Sequence, residues 1–169
     1  MPTISAVPTL KSSSRGRAEM VRVRPASAAD VGRLVEIAAH SVTAAQWNQN
    51  QYVQLFAPSP VQNRLALVVE QDGEVVGFIV GRVNHNECEI ENVAVHGLAR
   101  RHGLGSRLLG EFLDQVRSRG AGEIWLEVRE SNLAARALYE KWAFVETGRR
   151  KQYYHEPLED ALILKFNFS

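Results

Sequence analysis

The stretch that decides the fold reads ENVAVHGLARRHGLGSRLL and covers residues 91–109. Its first part has the β-branched character of a strand, and its last part begins an apolar pattern of helical period. The first N–H groups of a helix lack intrahelical partners and carry partial positive charge, and glycines allow close approach to the backbone. Two interpretations stay open from these residues alone. Gly103 and Gly105 form a plain turn, or they join Arg100 and Arg101 in a cradle for pyrophosphate.

Composition restricts the class of protein. The chain has 169 residues, enough for one domain with a hydrophobic core, which we place at residues 21–169. A net charge of +1 provides no overall field for nucleic acid or membrane, so neither is expected as a partner. The only cysteine, Cys88, excludes an internal disulfide and a multi-cysteine zinc site, and it fits a cytoplasmic location. We expect no metal.

Two parts of the chain bear on targeting. No apolar run approaches the roughly 20 residues that a membrane-spanning helix needs. Residues 1–20 are rich in serine, proline and basic residues and contain no continuous apolar segment. We therefore predict a disordered tail there, or sequence upstream of a second start at Met20, rather than a secretory signal.

The apolar periodicities predict an α/β protein with a mixed (α+β) sheet in the order β-α-α-β-β-β-α-β-α-β-β. The predicted strands are 21–24, the two runs around the Asp72-Gly73 turn, ECEIENVAV, EIWLEV, 144–154 and 160–168. The predicted helices follow the capping signal SAAD, cover about 44–56 and 103–119, and start after Asn132 as N-cap.

A family resemblance now adds to these patterns. Arg100-x-x-Gly103-x-Gly105 after NVAV is similar to the acetyl-CoA signature of the GNAT N-acetyltransferase superfamily. IWLEVRESNLAARALYEKWAF, residues 124–144, resembles the branch of bacterial ribosomal-protein-alanine N-acetyltransferases, the RimI type. The resemblance covers about residues 21–168 and implies the GNAT acyl-CoA N-acyltransferase fold with acetyl-CoA as cosubstrate. Gly97 near the end of the strand, an acidic residue at Glu91 and the HEP after Tyr154 depart from the pattern of the branch.

The resemblance also implies where the coenzyme binds. The loop at residues 101–106 is expected to hold the pyrophosphate, with Arg100 adding charge. The strand edge at residues 93–95 is expected to pair with the pantetheine amides, much as an added strand would. Asn132 is either a further coenzyme contact or only a helix N-cap. The full expected set is Val93, Ala94, Val95, Arg100, Arg101, His102, Gly103, Leu104, Gly105, Ser106 and Asn132.

Catalytic candidates come from the strand EIWLEVRE and the helix after it. Strand alternation puts Glu127 on the face opposite Leu126 and Val128, where a carboxylate can accept a proton. The resemblance assigns Glu127 as general base and Tyr139 as proton donor to the departing sulfur, with the Val95 N–H polarising the thioester carbonyl.

Other residues compete for the same roles. Rival bases are Glu89, Glu91 and His96, although a plain surface residue is the preferred interpretation of His96. Cys88 lies among strand residues with no evident base, so we interpret it as a packing residue.

The acceptor implied by the resemblance is a protein N-terminus, the alanine of a small-subunit ribosomal protein, attacking directly in a ternary complex. Neutralising an α-amine at pH 7 costs about 1 kcal/mol and a lysine roughly 4, which favours the α-amine. A lysine or small-amine acetyltransferase, a non-catalytic acyl-CoA-binding module and an RNA- or ribosome-binding protein remain alternatives. Trp47 and Tyr52 match an aromatic pattern of the branch. Arg149, Arg150, Tyr153 and Tyr154 form either a wall of a peptide groove or an exposed β-ribbon.

Overall fold

The computed structural model describes residues 18–61, 63–100 and 102–169. The predicted tail at residues 1–20 and the predicted role of Arg101 therefore fall largely or wholly outside the described residues. The strands are β1 Val21–Pro25, β2 Arg64–Gln71, β3 Glu74–Asn84, β4 Glu87–Val95, β5 Glu123–Arg129, β6 Val145–His155 and β7 Leu158–Asn167. The α-helices are α1 Val31–Ala39, α2 Gln49–Gln54, α3 Leu104–Ser118 and α4 Leu133–Lys141, with short 3-10 helices at Ala28–Asp30 and Gly97–Ala99. The predicted mixed α/β class is confirmed.

One seven-stranded sheet runs in the order β1-β2-β3-β4-β5-β7-β6. Its pairs are antiparallel except β4 with β5, which are parallel. The β4–β5 register covers only Glu87 to Ile90 on β4, opposite Glu123 to Leu126 on β5. Beyond that point β5 continues to pair with β7, while β4 keeps its pairing with β3. The two central strands therefore separate and leave a gap in the sheet.

Apolar side chains cover both faces of the sheet. The helical stripe predicted for α3 is buried against one face, where α4 also packs. Its members are Leu104, Leu108, Leu109, Phe112, Leu113 and Val116. The helices α1 and α2 bury Leu34, Ile37 and Tyr52 against the other face. No helix in the described ranges is long and apolar enough to cross a membrane.

Local signals account for several of the element ends. Asp72 (φ 52°) and Gly73 (φ 87°) form the predicted tight turn between β2 and β3. Before α1, the Ser27 N–H donates to the Asp30 carboxylate at 2.8 Å, which completes the capping box read in SAAD. The Asn132 side chain accepts from the Ala135 N–H at 3.2 Å, so its predicted N-cap role is confirmed.

The second helix is shorter than predicted. We expected residues 44–56, whereas α2 covers Gln49–Gln54. Asn48 is the N-cap, because its side chain accepts from the Gln51 N–H while the Gln51 side chain accepts from the Asn48 N–H. Upstream, the Ala45 N–H donates to the Asn92 side chain at 3.1 Å. This tertiary bond holds the preceding segment outside the helix.

Candidate active site

A cleft of about 1220 Å³ opens at the gap between β4 and β5. One side of it is formed by the edge of β4, the N-terminus of α3, the end of β5 and the inner side of α4. Residues 40–47 and Tyr153 and Tyr154 of β6 also line it. The cleft therefore brings together predicted residues that are far apart in sequence. They are Val93, Ala94, Val95, Arg100, Gly103, Leu104, Gly105, Ser106, Glu127, Asn132 and Tyr139.

A β-bulge in β4 sets the geometry of this edge. Val80 pairs with Asn92 and the next residue, Gly81, pairs with Ile90, so Glu91 is the extra residue. Before the bulge, Ile90 packs in the α3 core; after it, Ala94 packs in the α1–α2 core. The bulge thus exchanges the two faces of β4 where the strand leaves β5.

The backbone after the bulge offers hydrogen-bonding groups to the cleft. The His96 N–H donates to the Val76 carbonyl at 2.7 Å, toward β3. Because neighbouring residues of a strand direct their backbone groups to opposite edges, those of Val93 and Val95 face the gap. The Arg100 Nε donates to the Val95 carbonyl at 3.0 Å, in agreement with this direction. The edge is therefore suited to a peptide-like ligand chain.

The N-terminus of α3 supplies an anion-binding geometry. Gly103 is the N-cap with φ 72°, a left-handed conformation that favours glycine. The N–H groups of residues 104–106 belong to the first turn and have no intrahelical acceptor. A Cβ on Gly105 would lie 3.5 Å from Leu138 of α4, so the loop packs closely against that helix. Glycine and free backbone donors together fit a diphosphate.

His102 is placed differently from the rest of the loop. Its side chain is exposed and lines a separate cavity of about 420 Å³ with Asp72 and Glu74. The side chain of Leu104 is buried in the core. Only the backbone of Leu104 is therefore available to a ligand in the cleft.

Glu127 faces the α1–α2 side of the sheet, as the strand alternation predicted, because Leu126 and Val128 are buried on the α3 side. The Glu127 side chain is 16% exposed, and its Oε1 lies 3.0 Å from Nε of Arg150. The Arg150 guanidinium also lies 5.2 Å from the ring centroid of Tyr153. The negative charge of Glu127 is the main cause that raises the pKa of Tyr153. Glu127 thus sits beside a cation and a phenol.

Tyr139 lies on the other side of the gap. It is 3% exposed, lines the cleft, and packs against Phe144 with ring centroids 5.5 Å apart. Burial raises the pKa of the Tyr139 hydroxyl above its ordinary value, so the phenol keeps its proton at neutral pH. A carboxylate and a phenol therefore line one cleft from opposite faces of the sheet.

The rival bases differ in their surroundings. The Glu91 carboxylate is 8% exposed and pairs with Arg64 at 2.8 Å and with Arg82. Burial, followed by the charge of Glu91, raises the pKa of Glu89, which also lines the cleft.

The two remaining candidates are Cys88 and His96. Cys88 is fully buried, and burial raises the pKa of its thiol to about 12, so the packing interpretation is confirmed. The partly buried His96 ring lies 6.5 Å from the ring of His40, measured between centroids.

The part of the cleft near Trp47 and β6 is aromatic. The rings of Trp47 and Tyr52 are in contact, with centroids 5.3 Å apart. The rings of Tyr153 and Tyr154 form a T-shaped contact with centroids 5.1 Å apart. All of these except the buried Tyr52 line the cleft. Arg149 reaches the carboxylate of Glu130 at 2.7 Å, which favours the β-ribbon interpretation for this arginine.

Several contributors were not predicted. They are the Arg150 partner of Glu127, the two arginines on Glu91, and Asn92, whose amide donates to the Tyr52 hydroxyl at 3.0 Å. Asn92 follows three glutamates at alternate positions of β4, so its polarity alone gave no separate signal, and its burial appears only in the structure. Across the described residues, no group of three or more His, Cys, Asp or Glu side chains is arranged to hold a metal ion.

The fold and this cleft define an acetyltransferase. The sequence profile of the Acetyltransferase (GNAT) family matches residues 34–144, and the chain belongs to this family. The predicted membership of the GNAT superfamily is confirmed. Within the family the chain is of RimI type, as its similarity to curated relatives shows.

The [ribosomal protein bS18]-alanine N-acetyltransferase of Escherichia coli K12 is 37% identical over 116 residues, 68% of this chain and 78% of that protein. The crystal structure of the Escherichia coli ribosomal-protein-S18-alanine N-acetyltransferase is similar with a TM-score of 0.79 and 30% identity, covering 89% of this chain and 95% of that one. Ard1 from Thermoplasma volcanium gives a TM-score of 0.78 and 31% identity, covering 88% and 98% respectively.

Proposed function

We propose that this enzyme uses acetyl-CoA to acetylate the N-terminal α-amine of a protein, the alanine of a bS18-type small-subunit ribosomal protein. The observation that carries the proposal is the single cleft through the β4–β5 gap, which Glu127 enters from one face and Tyr139 from the other. Two substrates can then meet inside the gap from opposite sides of the sheet. This supports direct transfer in a ternary complex.

The coenzyme-binding roles rest on the free backbone donors. The first-turn N–H groups of α3 would hold the diphosphate. The edge groups of Val93 and the carbonyl of Val95 would pair with the pantetheine amides, which leaves the Val95 N–H for the thioester. Arg100 adds positive charge beside this edge through its bond to Val95. The Asn132 side chain uses its oxygen as helix cap, which leaves its NH₂ group for a coenzyme contact. Bound acetyl-CoA supplies the activated thioester.

The residues of the chain account for the proton movements. Glu127 accepts the proton that the acceptor amine loses as its nitrogen bonds to the carbonyl carbon. The Val95 N–H donates to the carbonyl oxygen as charge develops on it. Tyr139 gives its proton to the sulfur when the carbon–sulfur bond breaks. The products are an acetylated amine and a free thiol, so no bond to the enzyme forms.

The charge of the acceptor end favours one ammonium over several. Three carboxylates, Glu89, Glu91 and Glu127, lie among the guanidinium groups of Arg64, Arg82 and Arg150. Opposite charges are equal in number there, so a polyamine or aminoglycoside gains little attraction. The aromatic walls of Trp47, Tyr153 and Tyr154 suit a peptide backbone and its side chains.

The relatives support the choice of protein acceptor, because their names specify the alanine of ribosomal protein bS18. An enzyme with that acceptor acts in the cytoplasm, where ribosomal proteins are made.

The test is thiol release from acetyl-CoA with an alanine-starting bS18 peptide. The comparison acceptors are the same peptide with a blocked N-terminus, a lysine peptide with a blocked N-terminus, and spermidine. We expect turnover of the free alanine peptide alone and a loss of about 100-fold or more in Glu127→Gln. Glu123→Gln is the matched control on the same strand, since Glu123 binds Lys165 at 2.9 Å. Faster turnover of spermidine or of the blocked lysine peptide would contradict the proposal.

A further inference from the structure

Trp142 joins the end of α4 to the first half of α3. Its indole Nε1–H donates to the Ser106 hydroxyl oxygen at 3.0 Å. Its ring lies on Gly110, where a Cβ would come within 2.9 Å of the ring atom Cη2. Trp142 is the C-cap residue of α4, so both contacts come from the point where that helix ends.

Gly110 is explained by this contact. It lies in the middle of the fifteen-residue helix α3, where glycine weakens a helix relative to alanine. The indole ring occupies the space that a side chain at this position would need. Gly110 therefore lets Trp142 approach closely enough to reach Ser106, which is one turn nearer the N-terminus on the same helix.

The direction of the bond leaves Ser106 with a donor to spare. An indole N–H can only donate, so the Ser106 oxygen is the acceptor. The hydroxyl hydrogen of Ser106 then stays available for another acceptor. Ser106 lines the cleft in the first turn of α3, beside the backbone N–H groups.

We infer that Trp142 is a positioning residue for the diphosphate of the coenzyme, acting through Ser106. The indole holds the serine oxygen in place, and the serine hydroxyl donates its hydrogen to a diphosphate oxygen. This inference rests on the proposed binding of acetyl-CoA at the N-terminus of α3. It assigns a role to a residue outside the glycine loop and on a different helix.

The experiment is calorimetric titration of acetyl-CoA into the full chain and its variants. Trp142→Phe keeps an aromatic ring and removes the donor, and Ser106→Ala removes the hydroxyl. We expect each change to weaken acetyl-CoA binding about 3- to 10-fold, as for loss of one hydrogen bond. The double variant should bind no more weakly than Ser106→Ala alone, because the indole acts through the hydroxyl.

Acetyl-pantetheine separates positioning from general packing. It carries the thioester but no diphosphate, so its KM should be the same in wild type, Trp142→Phe and Ser106→Ala. Gly110→Ala tests the role of Trp142 in a second way, because the added Cβ displaces the indole ring without touching the glycine loop. It should weaken acetyl-CoA binding to the same extent as Trp142→Phe. Ser118→Ala is the control at the other end of α3, where the hydroxyl donates to the Gln115 carbonyl at 2.8 Å.

The outcomes distinguish this inference from the proposed function. Tight acetyl-CoA binding that Trp142→Phe leaves unchanged would overturn the role of Trp142 and leave the coenzyme site intact. An equal rise in KM for acetyl-pantetheine, or an additive loss in the double variant, would also overturn it. Absence of acetyl-CoA binding by the wild-type chain would overturn both.

Discussion

The Nε of Arg150 lies 3.0 Å from Oε1 of Glu127. The carboxylate proposed as general base is therefore already ion-paired with an arginine of the same chain. The Arg150 side chain is 51% exposed and Glu127 is 16% exposed, which makes this a solvent-screened pair of modest strength. An acceptor ammonium approaching Glu127 meets a position that Arg150 already occupies. The two cations must exchange or share the carboxylate.

Removing this cation should therefore strengthen acceptor binding. We expect Arg150→Gln to lower the KM for the alanine peptide by up to about fivefold, the range measured for exposed ion pairs. The KM for acetyl-CoA should not change. Steady-state kinetics with each substrate varied in turn measure both values. Arg149→Gln is the matched control, because Arg149 binds Glu130 and Asp160 instead. A higher peptide KM in Arg150→Gln would contradict the competition.

Tyr139 should be needed for turnover and not for folding. Tyr139→Phe keeps the ring contact with Phe144, so its Tm should stay within a few degrees of wild type. Loss of the proton donor should lower kcat by about 100-fold. Phe144→Leu is the control that disturbs the same packing but leaves the hydroxyl. Wild-type kcat in Tyr139→Phe would show that another group protonates the sulfur.

The pH dependence of stability follows from the same burial. The folded-state pKa of Tyr139 lies above the ordinary value of about 10. At a pH between the ordinary pKa of tyrosine and the raised pKa of Tyr139, the unfolded chain has lost a proton that the folded chain retains. The free energy of unfolding should therefore fall as the pH rises above about 10. Urea unfolding of wild type and Tyr139→Phe between pH 7 and 11 checks this, with a shallower fall expected in the variant. Parallel curves would contradict it.

Much of this architecture is readable from local patterns, and the reasons are physical. The 3.6-residue period of α3 and the Asp72-Gly73 turn each depend on residues close in sequence. The length of α2 was mispredicted because the Asn92 side chain, on another element, holds Ala45. The bulge at Glu91 leaves no visible break in the polar–apolar alternation of the β4 sequence, because different helices bury the two faces of that strand.

Many of the residues that line the cleft were predicted from the sequence, whereas the ion pair of Glu127 was not. Glu127 and Tyr139 follow from a strand and a helix that resemble a known branch. The partner of Glu127 is on β6, two strands away across β7, and depends on the complete sheet.

Glu91 should stabilise the fold without acting as base. Its nearly buried carboxylate lies between Arg64 and Arg82, and the neutral amide of Glu91→Gln leaves both guanidinium groups without that charge. We expect the Tm to fall, with a loss of about 1–3 kcal/mol in the free energy of unfolding. The kcat should stay within about threefold of wild type, against the loss of about 100-fold in Glu127→Gln. If Glu91→Gln lost as much activity as Glu127→Gln, the assignment of the base to β5 would be contradicted and β4 would be indicated instead.

Cys88 should be unreactive in the folded protein. The thiol is fully buried, and burial raises its pKa to about 12. We expect no reaction with a disulfide reagent at pH 8 until guanidinium chloride unfolds the chain, after which one thiol reacts. The count of released chromophore measures this. Rapid labelling of the native protein would show that β4 opens locally.

A crystal structure with acetyl-CoA bound tests the proposed coenzyme site directly. The diphosphate should lie within about 3 Å of the backbone N–H groups of residues 104–106, and the pantetheine should lie along Val93 and Val95. The thioester should then lie in the β4–β5 gap, between Glu127 and Tyr139. Acetyl-CoA bound outside this cleft, or with its thioester remote from both side chains, would contradict the central claim.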